Sequence, residues 1–140
     1  MRETLRGSAR SVPVVRSIIA LVGGYAIMVL VLVVVVAIAA WIFHPSRGAP
    51  SPPFLLASLV SSGLAALAGG YSTATLAPVR PRAHSFGLGV MILATSISTA
   101  SHSTPGQPAW SAGAAVVIGP LFAILGGLLR QPRLPSPVPT

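Results

Sequence analysis

The chain has 140 residues, of which 53% are hydrophobic and only 7% charged, whereas a soluble domain has roughly a quarter of its residues charged. This composition excludes an ordinary soluble domain, and the long apolar runs exclude a disordered chain. The net charge of +8 comes with no cysteine and a single acid, Glu3, which excludes disulfides, thiolate metal sites and paired catalytic carboxylates.

Residues 1–16 are predicted to form a basic tail, and an apolar segment of about 17–43 follows it. The segment contains eight consecutive aliphatic residues from Val29 to Val36, so a helix there would be apolar on every face, which favours a membrane span. A signal peptide has similar basic flanks, but its apolar region of roughly 7–15 residues is shorter. We therefore predict an uncleaved first transmembrane helix.

Three more apolar segments follow in chain order, at about 54–77, 83–101 and 109–129. Pro78 and Pro81 separate the second from the third, because proline lacks an amide proton and disfavours helix in the residue before it. Residues 131–140 form a Pro-rich tail. The sequence thus predicts an all-α integral membrane bundle of four transmembrane helices, spanning residues 17–130 with their connecting loops.

The arginines predict the orientation of this bundle. Eight of the nine lie in the two tails or in the loop that carries Arg80 and Arg82, and only Arg47 lies on the opposite side. Cytoplasmic loops are enriched in Lys and Arg, so both termini are predicted to be cytoplasmic. Trp41 and Trp110 stand at the opposite helix ends, where indole rings prefer the membrane interface.

Because the arginines flank apolar segments, we expect them to contact anionic lipid headgroups, and we expect no nucleic-acid partner. Arg80, Arg82 and His84 are the residues predicted to make the headgroup contact. They lie together between the second and third segments.

Small residues recur every four positions in the second and fourth segments, which places them on one helical face. Such rows let two backbones approach closely. We predict that they pack helices together, either within the chain or between subunits of an oligomer. The residues predicted to make these contacts are Ser62, Ala66, Gly69, Gly70, Ala115, Gly119, Ala123 and Gly127.

A run of small residues leads from Gly69-Gly70-Tyr71 to Arg80-Pro81, and His84 opens the next segment. This stretch resembles the central helical hairpin of uncharacterised short bacterial four-helix membrane proteins, which have a Gly-Gly-Tyr sequence, an Arg-Pro turn and a histidine in this order. Those proteins often carry a basic residue where this chain has Thr75. The resemblance implies a four-helix fold in the bacterial inner membrane and implies no activity.

The third segment is polar in its second half, where Thr95, Ser98, Thr99 and His102 fall on one helical face. This face could line a vestibule that opens to the outside and admits a solute. In the alternative, the hydroxyls bond carbonyls of their own or a neighbouring helix, as is common in membrane bundles.

The remaining polar candidates give weaker signals. His44 and His102 could share a transition metal, but two histidines without a carboxylate make a poor site, and we predict no metal and no cofactor. Tyr25 and Tyr71 are expected to fill the bundle near the glycine contact, with their hydroxyls paired.

Two classes of function follow from these residues. A non-enzymatic structural or accessory membrane protein, self-associating or part of a larger complex, is favoured by the small-residue rows and the lack of ionisable groups inside the apolar segments. The alternative is a small dimeric transporter or channel with a Ser/Thr-lined outer vestibule. Coupled transport normally requires a membrane-embedded acid, and the chain has none.

Overall fold

The computed structural model describes residues 2–44, 50–77, 80–102 and 107–130, with the side chains of residues 2–13 excepted. These ranges form four helices and contain no strand: α1 is Arg2–Phe43, α2 is Pro52–Leu76, α3 is Pro81–Ala100 and α4 is Ala109–Leu129. The predicted all-α fold is confirmed. All four helices contain a stretch long and apolar enough to cross a membrane.

Helix α1 begins earlier than the apolar pattern indicates. The structure continues the helix back through the segment that was expected as a basic tail, and its apolar part is Val14–Phe43. Those 30 residues span about 45 Å at ~1.5 Å per residue, more than the ~30 Å of a bilayer core. The helix ends where His44 adopts a positive φ of 42°, a conformation that stops helical hydrogen bonding.

Helices α2 and α3 each begin at a proline, two residues before the predicted starts at 54 and 83. Pro52 and Pro81 stand in the first turn, where the missing amide proton would have no helical partner and the fixed φ suits a helix. The residue before α3, Arg80, is left-handed with φ 52° and ψ 59°. Helix α4 continues through Pro120.

The helices pack around α2. It contacts α1 and α4 along much of its length and α3 less extensively, and α3 packs mainly on α4. Within the described ranges, α1 has a smaller contact with α3 and none with α4. The bundle is consequently less closed between α1 and the α3–α4 pair than elsewhere.

Small side chains form the centre of this bundle and large aliphatic ones cover its surface. Ala65, Ala66 and Ala74 of α2 are buried, as is Ala123 of α4. Large residues such as Leu30 (65% exposed) lie outside. This arrangement brings backbones close together and presents hydrocarbon to the surroundings, as expected for helices packed in lipid.

Candidate functional site

The close contacts between helices are made where two backbones meet at glycine. A methyl group added at Gly70 of α2 would overlap the carbonyl oxygen of Ala123 in α4, and one added at Gly126 would overlap the carbonyl oxygen of Leu67 in α2. The α2–α4 seam therefore has no room for a side chain at either glycine.

Helix α1 joins α2 by the same means. A methyl group at Gly24 would overlap the Thr73 hydroxyl, and one at Gly69 would lie 2.7 Å from Cβ of Met28. Gly24 lies in the Gly23-Gly24 pair, the only glycine pair in the long aliphatic stretch of α1. Sequence reasoning did not select it, although that interruption was a usable signal.

Ser85 connects α3 to both of its neighbours. Its hydroxyl donates to the carbonyl oxygen of Gly70 at 3.1 Å, and a methyl group at Gly127 would overlap its side chain. The predicted packing residues Gly69, Gly70, Ala123 and Gly127 thus lie at contacts within the chain, so these positions already have partners in a single copy.

One end of the bundle is basic, and we call it the basic end. Arg16 of α1, Arg80 and Arg82 before and within α3, and Arg130 after α4 lie there. Arg80 and Arg82 are exposed, and the half-buried His84 places Nδ1 3.2 Å from the carbonyl oxygen of Arg80. The opposite end, which carries Trp41 and Trp110, we call the tryptophan end.

Arg130 differs from Arg16, Arg80 and Arg82 because it has a hydrogen-bond partner among the described residues. Its guanidinium donates to the carbonyl oxygen of Ala74 in the last turn of α2. That carbonyl would normally accept from the amide four residues later, but position 78 is a proline without an amide proton. Arg130 therefore supplies the missing donor and places a positive charge at the C-terminal end of the α2 dipole.

A cavity of about 340 Å³ lies between the helices in the half of the bundle nearer the tryptophan end. It extends from Tyr25 and Gly119 towards Ala100 and Gln107, which stand on either side of the α3–α4 connection. Residues of all four helices line it. Three predicted packing residues, Ser62, Ala115 and Gly119, belong to this lining, and Ala66 lies in the buried core.

The predicted vestibule residues separate into two groups. Thr95 and Thr99 line the cavity, whereas Ser98 and His102 do not, although all four are exposed. The Thr95 hydroxyl donates to the carbonyl oxygen of Ile92, and the Thr99 hydroxyl donates to the carbonyl oxygen of Thr95, both at 2.9 Å. These two hydroxyls thus bond their own helix, which was the alternative interpretation of the pattern.

Two hydroxyls of the lining are different. Tyr25 and Ser96 make no hydrogen bond to the described chain, although both are half-buried and border the cavity. Within the described ranges, the expectation that both tyrosine hydroxyls are paired is wrong: Tyr25 has no partner there, and neither has Tyr71, which is 48% exposed. Sequence reasoning missed Ser96 because it selected the 95, 98, 99 and 102 face; the spacing of Ile92, Ser96 and Thr99 marks the cavity side.

No family model matches the chain, and no curated protein or solved structure matches it.

Proposed function

We propose that the chain is a non-enzymatic accessory protein of the bacterial inner membrane, with both termini cytoplasmic, that associates with a second copy or with a larger membrane complex. The four apolar helices support the membrane location. The clustering of arginines at the basic end supports the orientation, because positive charge is retained on the cytoplasmic side. The bacterial origin is what the resemblance of residues 69–84 implies.

The observation that carries the accessory role is the exposed polar surface of α3 formed by Ser98 and His102, here called the α3 polar face. The hydroxyl of Ser98 has no hydrogen bond in the described chain. His102 places Nδ1 2.9 Å from the carbonyl oxygen of Ser98, which leaves its Nε2 open. Ser98 lies within the apolar helix α3, two residues before its end, and a polar side chain inside a bilayer gains by bonding a neighbouring helix rather than lipid.

The proposed association surface thus lies on α3 and not on the small-residue rows of α2 and α4. The rows of α2 and α4 are in contact with one another at Gly70 and Ala123. A second protein therefore gains by using another face, and the α3 polar face offers it hydrogen bonds. The basic residues Arg80, Arg82 and His84 then lie at the cytoplasmic interface, where anionic headgroups are available.

Disulfide trapping tests self-association, because the chain has no native cysteine. In a symmetric pair the same residue of each copy approaches its mate near the axis. We expect oxidation in membranes to yield a covalent dimer from Ser98→Cys. The matched control is Val117→Cys, on an exposed position of α4 (56%), which should stay monomeric.

Association with a larger complex predicts a different result. Ser98→Cys would then remain monomeric, while a partner protein would copurify with the wild-type chain and be lost from a Ser98→Leu, His102→Leu double variant. If no dimer forms and the double variant changes nothing in purification, the accessory role through α3 is wrong.

A second candidate function is supported by the cavity. A dimeric transporter or passive channel could use it as an outer vestibule, with Thr95 and Thr99 on its wall. Flux of small solutes into proteoliposomes tests this candidate. Saturable flux that Thr99→Leu abolishes would favour transport, and the absence of flux above that of empty vesicles would exclude it.

A further inference from the structure

The cavity differs from a simple packing gap in its hydrogen-bond chemistry. Three hydroxyls of its lining, those of Ser62, Thr95 and Thr99, each donate to a carbonyl of their own helix. The hydroxyls of Tyr25 and Ser96 donate to no described residue. Both hydroxyls are accessible in the open cavity, since no buried side-chain oxygen of the described residues lacks a partner. A molecule that fills the cavity would cover them, and a covered hydroxyl is destabilising unless it finds an acceptor, so this lining suits an occupant that accepts hydrogen bonds.

The lining also determines the charge of the occupant. It contains no Asp, Glu, Lys, Arg or His. A charged molecule would lose its hydration there without gaining an ionic partner, which is strongly unfavourable. The occupant is accordingly uncharged.

Apart from Gln107, whose amide donates to the Ser111 hydroxyl, the rest of the lining is apolar or small, so the occupant also has an apolar body. The volume of about 340 Å³ falls within the ~300–1,000 Å³ range of small-molecule sites. A lipid acyl chain would satisfy the apolar wall but has no acceptor for Tyr25 or Ser96. The residues that form this wall are Met28, Val29, Leu32, Ile92, Ala112, Ala115 and Gly119.

We propose that this cavity is a binding site for an uncharged, small amphipathic molecule that carries a hydrogen-bond acceptor. Tyr25 and Ser96 donate to the acceptor, and the apolar wall holds the body of the molecule. Thr99 and Gln107 lie towards the tryptophan end of the site. The site requires neither association through the α3 polar face nor transport.

Cysteine protection with a defined probe tests the site. Ala112→Cys puts a thiol on the cavity wall, whereas Gly113→Cys puts one beside it on an exposed position with nothing within 4 Å. Each variant, in nanodiscs, is labelled with N-ethylmaleimide in the presence of benzamide, which is uncharged and carries a carbonyl. Toluene, which has no acceptor, and benzoate, which is charged, serve as comparison probes.

We expect benzamide to slow the labelling of Ala112→Cys saturably, by at least about threefold, and to leave Gly113→Cys unchanged. Tyr25→Phe in the Ala112→Cys background should raise the half-protecting concentration about fivefold, the effect of one hydrogen bond. Tyr71→Phe, which removes an exposed hydroxyl outside the cavity, should have no effect. Toluene and benzoate should protect weakly or not at all.

Three results would overturn the proposal: no protection by benzamide up to its solubility limit, equal protection by toluene, or an unchanged half-protecting concentration in Tyr25→Phe. Equal protection by toluene would identify a hydrocarbon site for lipid. Gel filtration and thermal unfolding establish that each variant is folded. If Tyr25→Phe is not, Ser96→Ala takes its place with the same expected shift.

Discussion

At the scale of single residues, the protein places an arginine where a proline has left a carbonyl without a donor. The Arg130 guanidinium donates a hydrogen bond to the Ala74 carbonyl oxygen. That oxygen lacks its usual helical donor, because residue 78 is a proline and has no amide proton. Leucine at position 130 would remove both the hydrogen bond and the favourable charge at the end of α2. Because Arg130 is half-buried, we expect its hydrogen bond to add less to the free energy of unfolding than a fully buried charged hydrogen bond would.

Arg130→Leu should therefore lower the free energy of unfolding by about 1–2 kcal/mol, measured as reduced thermal stability in mild detergent. Arg82→Leu is the matched control, because Arg82 is exposed and has no hydrogen bond in the described chain. Equal losses in the two variants would mean that net charge, and not the bond to α2, is responsible.

Glycine positions give a second prediction at this scale. Gly70→Ala forces the α2 and α4 backbones apart, because its methyl group would overlap the Ala123 carbonyl. Overpacking of this kind costs about 1–3 kcal/mol. Gly113→Ala in α4 meets nothing within 4 Å and should be neutral or stabilising by up to ~1 kcal/mol, because alanine favours helix.

Thermal unfolding in detergent with analytical gel filtration measures both effects. Since the Gly70 contact lies within one chain, Gly70→Ala should lose stability without changing the oligomer distribution. Dissociation of an otherwise intact fold would instead show that the row also packs between chains.

At the scale of elements, α1 is held in the bundle mainly by its contact with α2. Its largest contact is with α2, and the closest approach lies at Gly24, against the Thr73 hydroxyl. The neighbouring Gly23 faces the end of the Leu76 side chain, with 3.1 Å between the added methyl group and Cδ1. A leucine terminus can rotate away, whereas Thr73 is fully buried and held to Gly69 by a 2.8 Å hydrogen bond.

Gly24→Ala should thus destabilise the α1–α2 pair by about 1–3 kcal/mol, while Gly23→Ala should change stability by less than ~1 kcal/mol. Thermal unfolding of the two variants provides the comparison. If both are neutral, the two helices have room to separate and α1 is held by other contacts.

At the scale of the whole molecule, the orientation in the membrane is the main prediction. With no native thiol, single cysteines report sidedness directly. Gln107→Cys and Ser51→Cys should react with an impermeant thiol reagent added outside intact cells, because both precede helices at the tryptophan end. Ala83→Cys, exposed near the start of α3, should react only after the membrane is opened. Labelling of Ala83→Cys in intact cells would invert the orientation.

The sequence predicted some features of the molecule better than others. Four apolar segments bounded by prolines predicted four helices, with errors of two residues at the starts of α2 and α3 where proline begins the helix. The predicted start of α1 at residue 17 followed the apolar pattern, whereas the helix begins at Arg2, so the first apolar residues did not mark its start. The four-residue spacing of small side chains identified Gly70 and Ala123, which meet in the α2–α4 seam.

The sequence by itself determined local properties: which segments are apolar, where prolines interrupt them, and where small residues share a face. These depend on neighbours within a few residues, so periodicity reveals them. Only the tertiary structure decided which rows meet one another, that Arg130 reaches the end of α2, and that Tyr25 and Ser96 share a cavity. The bond from Arg130 to Ala74 alone joins residues 56 positions apart. All these relations depend on how each helix is rotated and spaced against the others, which no local pattern specifies.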